Sequence, residues 1–172
     1  MQYTRTTTMA AVNEATGKAV HVGDTVTSFR GEKATLVRMS RPRIPGKSGK
    51  VVVRWIDGGY EQEYYDGVFG LIVGQGTSAF EVAVADYFRT ADLYAEYGAA
   101  DTEPNTVFAL MVKAVVDGDK VTNPRSVRGW ELYSTMPGAT RAAKALHAAA
   151  ALVIKAAKAD LPAARAYVAE VF

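Results

Sequence analysis

Glycine-rich stretches that can cradle phosphates are the first chemistry to test, and the chain has two. Gly46-Lys47-Ser48 ends like a phosphate-binding loop. Such a loop needs a glycine five residues before its Gly-Lys pair, so that backbone N–H groups can wrap the phosphates. Arg41 stands at that position, and Gly49 leads into a strand rather than a helix. Nucleotide hydrolysis is therefore not expected. Gly74-Gln75-Gly76-Thr77-Ser78-Ala79 satisfies a GxGxxA pattern between a strand and a helix, with Glu96 or Asp101 as the later acid of a dinucleotide fold. Against that, the preceding strand belongs to an antiparallel set, no parallel strand clearly follows, and Ser78 and Glu81 are explained by helix capping. Small-ligand or nucleotide binding at Gly74–Gly76 ranks third among the functions considered.

Hydrolytic and metal chemistry have less to work with. The 172 residues include no cysteine and two histidines, His21 and His147. Disulfides, thiolate metal sites and cysteine nucleophiles are excluded. There is no G-x-S-x-G elbow and no H-E-x-x-H, and Asp117-Gly118-Asp119 lacks the ligand count of a calcium loop. No catalytic residue, cofactor site or metal site is expected, and the chain is read as a non-enzyme.

Charge and aromatic residues carry more. The formal net charge is +2, but it is a cancellation. Between Arg30 and Arg54 stand Arg30, Lys33, Arg38, Arg41, Arg43, Lys47, Lys50 and Arg54 against Glu32 alone. Asp57, Glu61, Glu63 and Asp66 follow with no base among them, and Glu81 to Asp119 is again acidic. The C-terminal third is basic, and on its long alanine-rich helix Arg141, Lys144, Lys155 and Lys158 form one cationic stripe opposite Leu146, Ala150, Val153 and Ala157. Two readings compete: a phosphate footprint on nucleic acid, or internal pairing, for instance of Arg54 with the hairpin bearing Glu61 and Glu63. The aromatics Phe29, Trp55, Tyr60, Tyr64, Tyr65 and Phe69 are dense for one small β unit. Most should fill its core, Trp55 above all because it shares a face with Val51 and Val53. The remainder can form a stacking platform or a cage for an alkyl-ammonium group.

The elements that must position these residues change period near Gly76. Before it come short β-branched and aromatic runs separated by glycine turns: Met9–Val12, Ala19–Val22, Thr25–Phe29, Ala34–Met39, Val51–Ile56, Tyr60–Tyr65 and Val68–Val73. Arg41–Gly49 reads as a loop, and Asp57-Gly58-Gly59 and Asp66-Gly67 as turns. So many short strands can bury one face only by curling into a small barrel. After Gly76 the spacing is helical. Ser78-Ala79-Phe80-Glu81 is a capping box, and Phe80, Val84, Tyr87, Phe88, Ala91, Tyr94 and Ala95 share one face, ending at Gly98. Further helices are expected over Val107–Val116 (where a strand competes), from Asn123 to about Tyr133, over Ala139–Ala159, and from Asp160 to the C-terminus. The longest apolar run, Ala148–Ile154, is too short to span a membrane, and the N-terminus has no apolar leader segment, so a cytoplasmic protein is expected.

Val22-Gly23-Asp24-Thr25-Val26, Phe29-Arg30-Gly31-Glu32, Val51-Val52-Val53-Arg54-Trp55, Glu63-Tyr64-Tyr65 and Val68-Phe69-Gly70-Leu71 follow one another in order. Over residues 15–75 this set resembles the SH3-like small β-barrels of uncharacterised actinobacterial and phage proteins. The fold expected is α+β: an SH3-like antiparallel barrel over residues 1–76, then an α-helical region over 77–172 that packs on the barrel or follows it. SH3-like barrels host many kinds of binding. The first expectation is an interaction module, of the phage accessory or virion-associated kind, that binds a protein partner through Arg38, Arg41, Arg43, Lys47 and Lys50 with Tyr64 and Tyr65. Nucleic-acid binding through the basic segment 30–54 is the alternative. The stripe of Arg141, Lys144, Lys155 and Lys158 is a second candidate face, and the alanine-rich helix a candidate surface for self-association. In a phage the compartment would be host cytoplasm or virion.

Overall fold

The computed structural model describes residues 8–44, 47–95, 104–124 and 137–172. Seven strands come first: β1 Met9–Asn13, β2 Ala19–Val20, β3 Thr25–Thr27, β4 Lys33–Arg41, β5 Lys50–Trp55, β6 Glu61–Tyr65 and β7 Leu71–Gln75. Among the described residues four helices follow: α1 Ala79–Ala95, α2 Pro104–Val116, α3 Pro137–Ala159 and α4 Leu161–Val171. The competition over Val107–Val116 resolves as helix. The helix expected from Asn123 to Tyr133 and the stop at Gly98 lie outside the described residues.

The fold is α+β, and all its strand pairs are antiparallel. They form two sheets, β2-β1-β7 and β3-β4-β5-β6, rather than a closed barrel. No ladder joins the sheets: just past β4, Arg43 N–H donates to the Val73 carbonyl of β7 at 2.8 Å, and just past β3, Phe29 N–H donates at 2.9 Å to Val68, which precedes β7. Between β6 and β7 the chain makes a short 3-10 turn, Asp66–Phe69, so the last strand starts at Leu71 and not at Val68. Gly70 ends that turn at φ 62°, a left-handed conformation that favours glycine.

Closure is unnecessary because helices supply the second cover. Successive residues of a strand point to opposite faces. In β1 and β7, Ala11, Leu71 and Val73 face the four-stranded sheet and pack with Val26, Leu36, Val51, Val53 and Phe69. Their neighbours Val12 and Ile72 face the other way, into a core built with Phe80, Val82, Tyr87, Phe108, Leu146 and Val153. The three-stranded sheet is thus the middle of three layers, apolar on both faces. Buried double-faced strands read as unbroken apolar runs, and Leu71-Ile72-Val73 is such a run.

Two close approaches tie the layers together. An ideal Cβ on Gly17, in the β1–β2 turn at φ +71°, would lie 2.4 Å from the Ala156 nitrogen, so only glycine lets this turn rest on α3. Gly74 in β7 would place a Cβ 2.9 Å from Cγ1 of Val82, which brings α1 onto the sheet. Half of the capping box at α1 forms as expected: Ser78 Oγ accepts from Glu81 N–H at 3.2 Å, while the Glu81 carboxylate reaches one residue further back, to Thr77 N–H rather than that of Ser78. Asp160 caps α4 by accepting from Ala163 N–H at 3.2 Å. Among the described residues no helix is long and apolar enough to cross a membrane.

Candidate functional site

Arg43 leaves the end of β4 and turns inward. Its Nε donates to Oδ2 of Asp66 at 2.8 Å and one terminal nitrogen donates to Oδ1 at 3.3 Å. Asp66 is fully buried and also accepts from the N–H groups of Gly67 (2.8 Å) and Val73 (3.0 Å). An ideal Cβ on Gly49 would lie 2.5 Å from Oδ2 of Asp66, so that position must stay bare. Glu14 and Asp86 stand 3.7 and 3.9 Å from the same guanidinium, and Arg89 donates to Asp86 at 2.8 Å. Burial alone would pull Arg43 down, but the Asp66 hydrogen bonds and the surrounding carboxylates more than offset it, so its pKa rises and it stays charged. Burial raises the pKa of Glu14; Arg43 opposes this, while Asp66 and Asp86 add to it. Arg43, expected on a partner-facing loop, works as an internal clamp between the two sheets and α1.

The other basic candidates divide. Lys50 pairs with Glu63 at 2.7 Å, Ser40 donates to the same carboxylate at 2.8 Å, and Arg54 pairs with Glu61. Lys50 hydrogen bonding leads the effects that lower the Glu63 pKa, followed by Ser40. Arg41 donates to the Ser48 carbonyl at 2.9 Å, whereas Arg38 and Lys47 are exposed. On α3, Arg141 and Lys144 are exposed. Lys155 donates to the Glu14 carbonyl at 3.4 Å and Lys158 to that of Val121, while Leu146, Ala150, Val153 and Ala157 on the other side are inside the core. Tyr64 and Tyr65 part company, as neighbours on a strand must. Tyr65 lies outward under Lys50, whose Nζ is 5.6 Å from the ring centre. Tyr64 turns in against Trp55 and Phe69, with ring centres 5.5 and 5.9 Å away.

That inward turn builds a groove. Trp55 Nε1 donates to the Tyr64 hydroxyl at 3.2 Å, and the hydroxyl donates to Gln62 at 2.7 Å, so both rings are held in place. Beside them Tyr60 and Val68 complete the apolar wall, and Arg30, Glu32, Lys33 and Asp57 form a rim of mixed charge around a hollow of about 440 Å³. Phe29 tops the wall at 75 % exposure, in a turn fixed by Ser28 N–H to Glu32 carbonyl bonding at 2.8 Å, with Arg30 stacked 5.4 Å from its ring. Its far side borders a second hollow of about 470 Å³ that shares Ser28 and Val68 and reaches Glu14 and Gly70. Comparison of the chain with protein-family models, curated proteins and solved structures returns no match. The groove's chemistry therefore rests on its own residues. Sequence reasoning missed Asp57 and Val68 as site residues and reached Lys33 only within the basic segment 30–54. A tight turn bearing Phe-Arg-Gly-Glu opposite a second turn ending in tyrosine was the available signal.

A third concavity, about 600 Å³, opens where the Gly74–Gly76 turn meets α1. Ile44, Ile72, Val82, Phe88 and Leu93 give it apolar walls, and Arg43, Asp86, Arg89 and Asp92 its charged groups. It does not have the features of a phosphate cradle. The Thr77 N–H is taken by Glu81, whose Oε2 would lie 3.1 Å from a Cβ on Gly76, so a carboxylate already stands over the turn. Among the described residues no group of three His, Cys, Asp or Glu side chains is placed to hold a metal ion.

Proposed function

We propose that this chain is a non-enzymatic interaction module, SH3-like in its open pairing of strands, that binds an extended segment of a protein partner in the Phe29–Trp55–Tyr60–Tyr64 groove. The carrying observation is Phe29, 75 % exposed at the lip of an aromatic hollow whose floor rings are locked by hydrogen bonds. Rigid aromatic surface costs little side-chain entropy on binding and supplies most hot spots at protein interfaces. Arg30, Glu32, Lys33 and Asp57 give the rim donors and acceptors of both signs, which suits a peptide better than a polyanion. Nucleic-acid binding draws on the exposed Arg38 and Lys47, but Arg43, Lys50 and Arg54 already meet carboxylates.

Selection from a displayed random-peptide library tests the proposal. Enriched peptides should lose about tenfold or more in affinity with Phe29→Ala or Tyr60→Ala. Oligonucleotides should show no salt-dependent retardation at low ionic strength. Failure to enrich any peptide, or enriched peptides indifferent to both substitutions, would overturn it.

A further inference from the structure

The concavity between β7 and α1 lies away from the aromatic groove and shares no lining residue with it. Its volume, about 600 Å³, is that of a small-molecule site. Its charged groups are not all paired. Arg43 is answered from behind by the buried carboxylate of Asp66, and Arg89 by that of Asp86. Glu14 adds a further carboxylate 3.7 Å from Arg43. The lining itself holds two guanidiniums and two carboxylates, but Asp92, exposed on α1, has no ion-pair partner among the described residues, whereas both guanidiniums are already answered by Asp66 and Asp86. Below it the walls are aliphatic and aromatic, with Ile44 and Leu93 as exposed lips. An anion would enter against Asp86 and Asp92 and find both guanidiniums engaged. A neutral apolar molecule would leave Asp92 unanswered.

We infer that this cleft binds a small organic ammonium compound, its apolar body against Ile72, Val82 and Phe88 and its ammonium at Asp92. The arrangement also accounts for Gly74, whose missing side chain lets Val82 approach β7 and form the inner wall. Ala85 lines the cleft from the exposed face of α1, and a large side chain there would fill it.

Phenethylamine, phenethyl alcohol and phenylpropionate share a ring and differ in head group, and titration of each into ¹⁵N-labelled protein separates the possibilities. Phenethylamine at millimolar concentration should shift the amides of Val73, Ala85 and Leu93, and the alcohol and carboxylate should bind about two- to fivefold more weakly, the worth of one exposed ion pair. Asp92→Asn should remove that preference, and Ala85→Phe should abolish binding, both without a change in melting temperature. Nα-acetyl-lysine amide carries the same head on a flexible chain and should not compete; equal binding would make a protein lysine the occupant and overturn the small-molecule assignment. No shifts below about 10 mM phenethylamine, weaker than most specific ligand sites, would overturn it too. So would equal binding of the three ring compounds, or indifference to both substitutions. Peptide binding at Phe29 can fail or hold independently of each of these results.

Discussion

Asp66 and Phe29 stand at opposite ends of a scale of burial, and each predicts its own phenotype. Asp66 is fully buried with a guanidinium and two backbone N–H donors on its oxygens. Removing one partner of a buried pair strands the other, at a cost of about 3–5 kcal/mol. Asp66→Asn should therefore lower the stability of the chain by about that amount in urea denaturation; a loss near zero would contradict the clamp. Phe29→Ala should change stability by under about 0.5 kcal/mol, since the ring is exposed. Glu14 gives a pH signature. Its folded pKa is raised by burial, so well below the ordinary glutamate value the side chain is neutral in both states and costs nothing. Above the raised value the native state carries a charge it disfavours. Glu14→Gln should thus leave stability unchanged at acid pH and raise it slightly at neutral pH, by less than about 1 kcal/mol because the group is half exposed, read as a small rise in melting temperature at neutral pH alone. A fall at neutral pH would show instead that its contact with Arg43 dominates.

At the scale of elements, the β1–β2 turn and α3 meet through Gly17. Gly17→Ala puts a methyl within 2.4 Å of backbone and forces a side chain into φ +71°. Overpacking and strain together should cost about 2 kcal/mol or more, read as a drop in thermal stability with the exposed Gly31→Ala as a comparison limited to the conformational part. Strands and helices themselves were largely legible, because their periods of two and 3.6 residues alternate clearly on either side of Gly76. The 3-10 turn at Asp66 was not, since Asp-Gly reads the same in any turn. Nor was the role of Arg43. Its partner is 23 residues away, and a run of basic residues says nothing about which of them turns inward. The pairing of Arg54 with Glu61 was legible, because a hairpin places its arms in register.

At the scale of the whole molecule, the inference of a closed barrel assumed that the strands had to cover themselves. The helices cover one face of the central sheet instead, and the unbroken apolar runs of β1 and β7 were the signal for it. One consequence is that strands and helices should unfold together. A fragment of residues 8–76 would expose Val12 and Ile72 on an uncovered sheet face, and should show no cooperative thermal transition where the full chain shows one; a fragment melting cooperatively would mean that the strands fold alone. The segregated charges are resolved in part by this architecture, with Arg43, Lys50 and Arg54 meeting carboxylates inside the chain.

The aromatic groove is a surface feature that internal pairing does not account for. The direct measurement is a titration of a library-selected peptide into ¹⁵N-labelled protein. Shifts are expected to centre on Phe29, Arg30, Trp55, Tyr60 and Tyr64 and to be lost with Phe29→Ala. Shifts centred on Arg38, Lys47 or α3 and indifferent to Phe29 would contradict peptide binding in the groove.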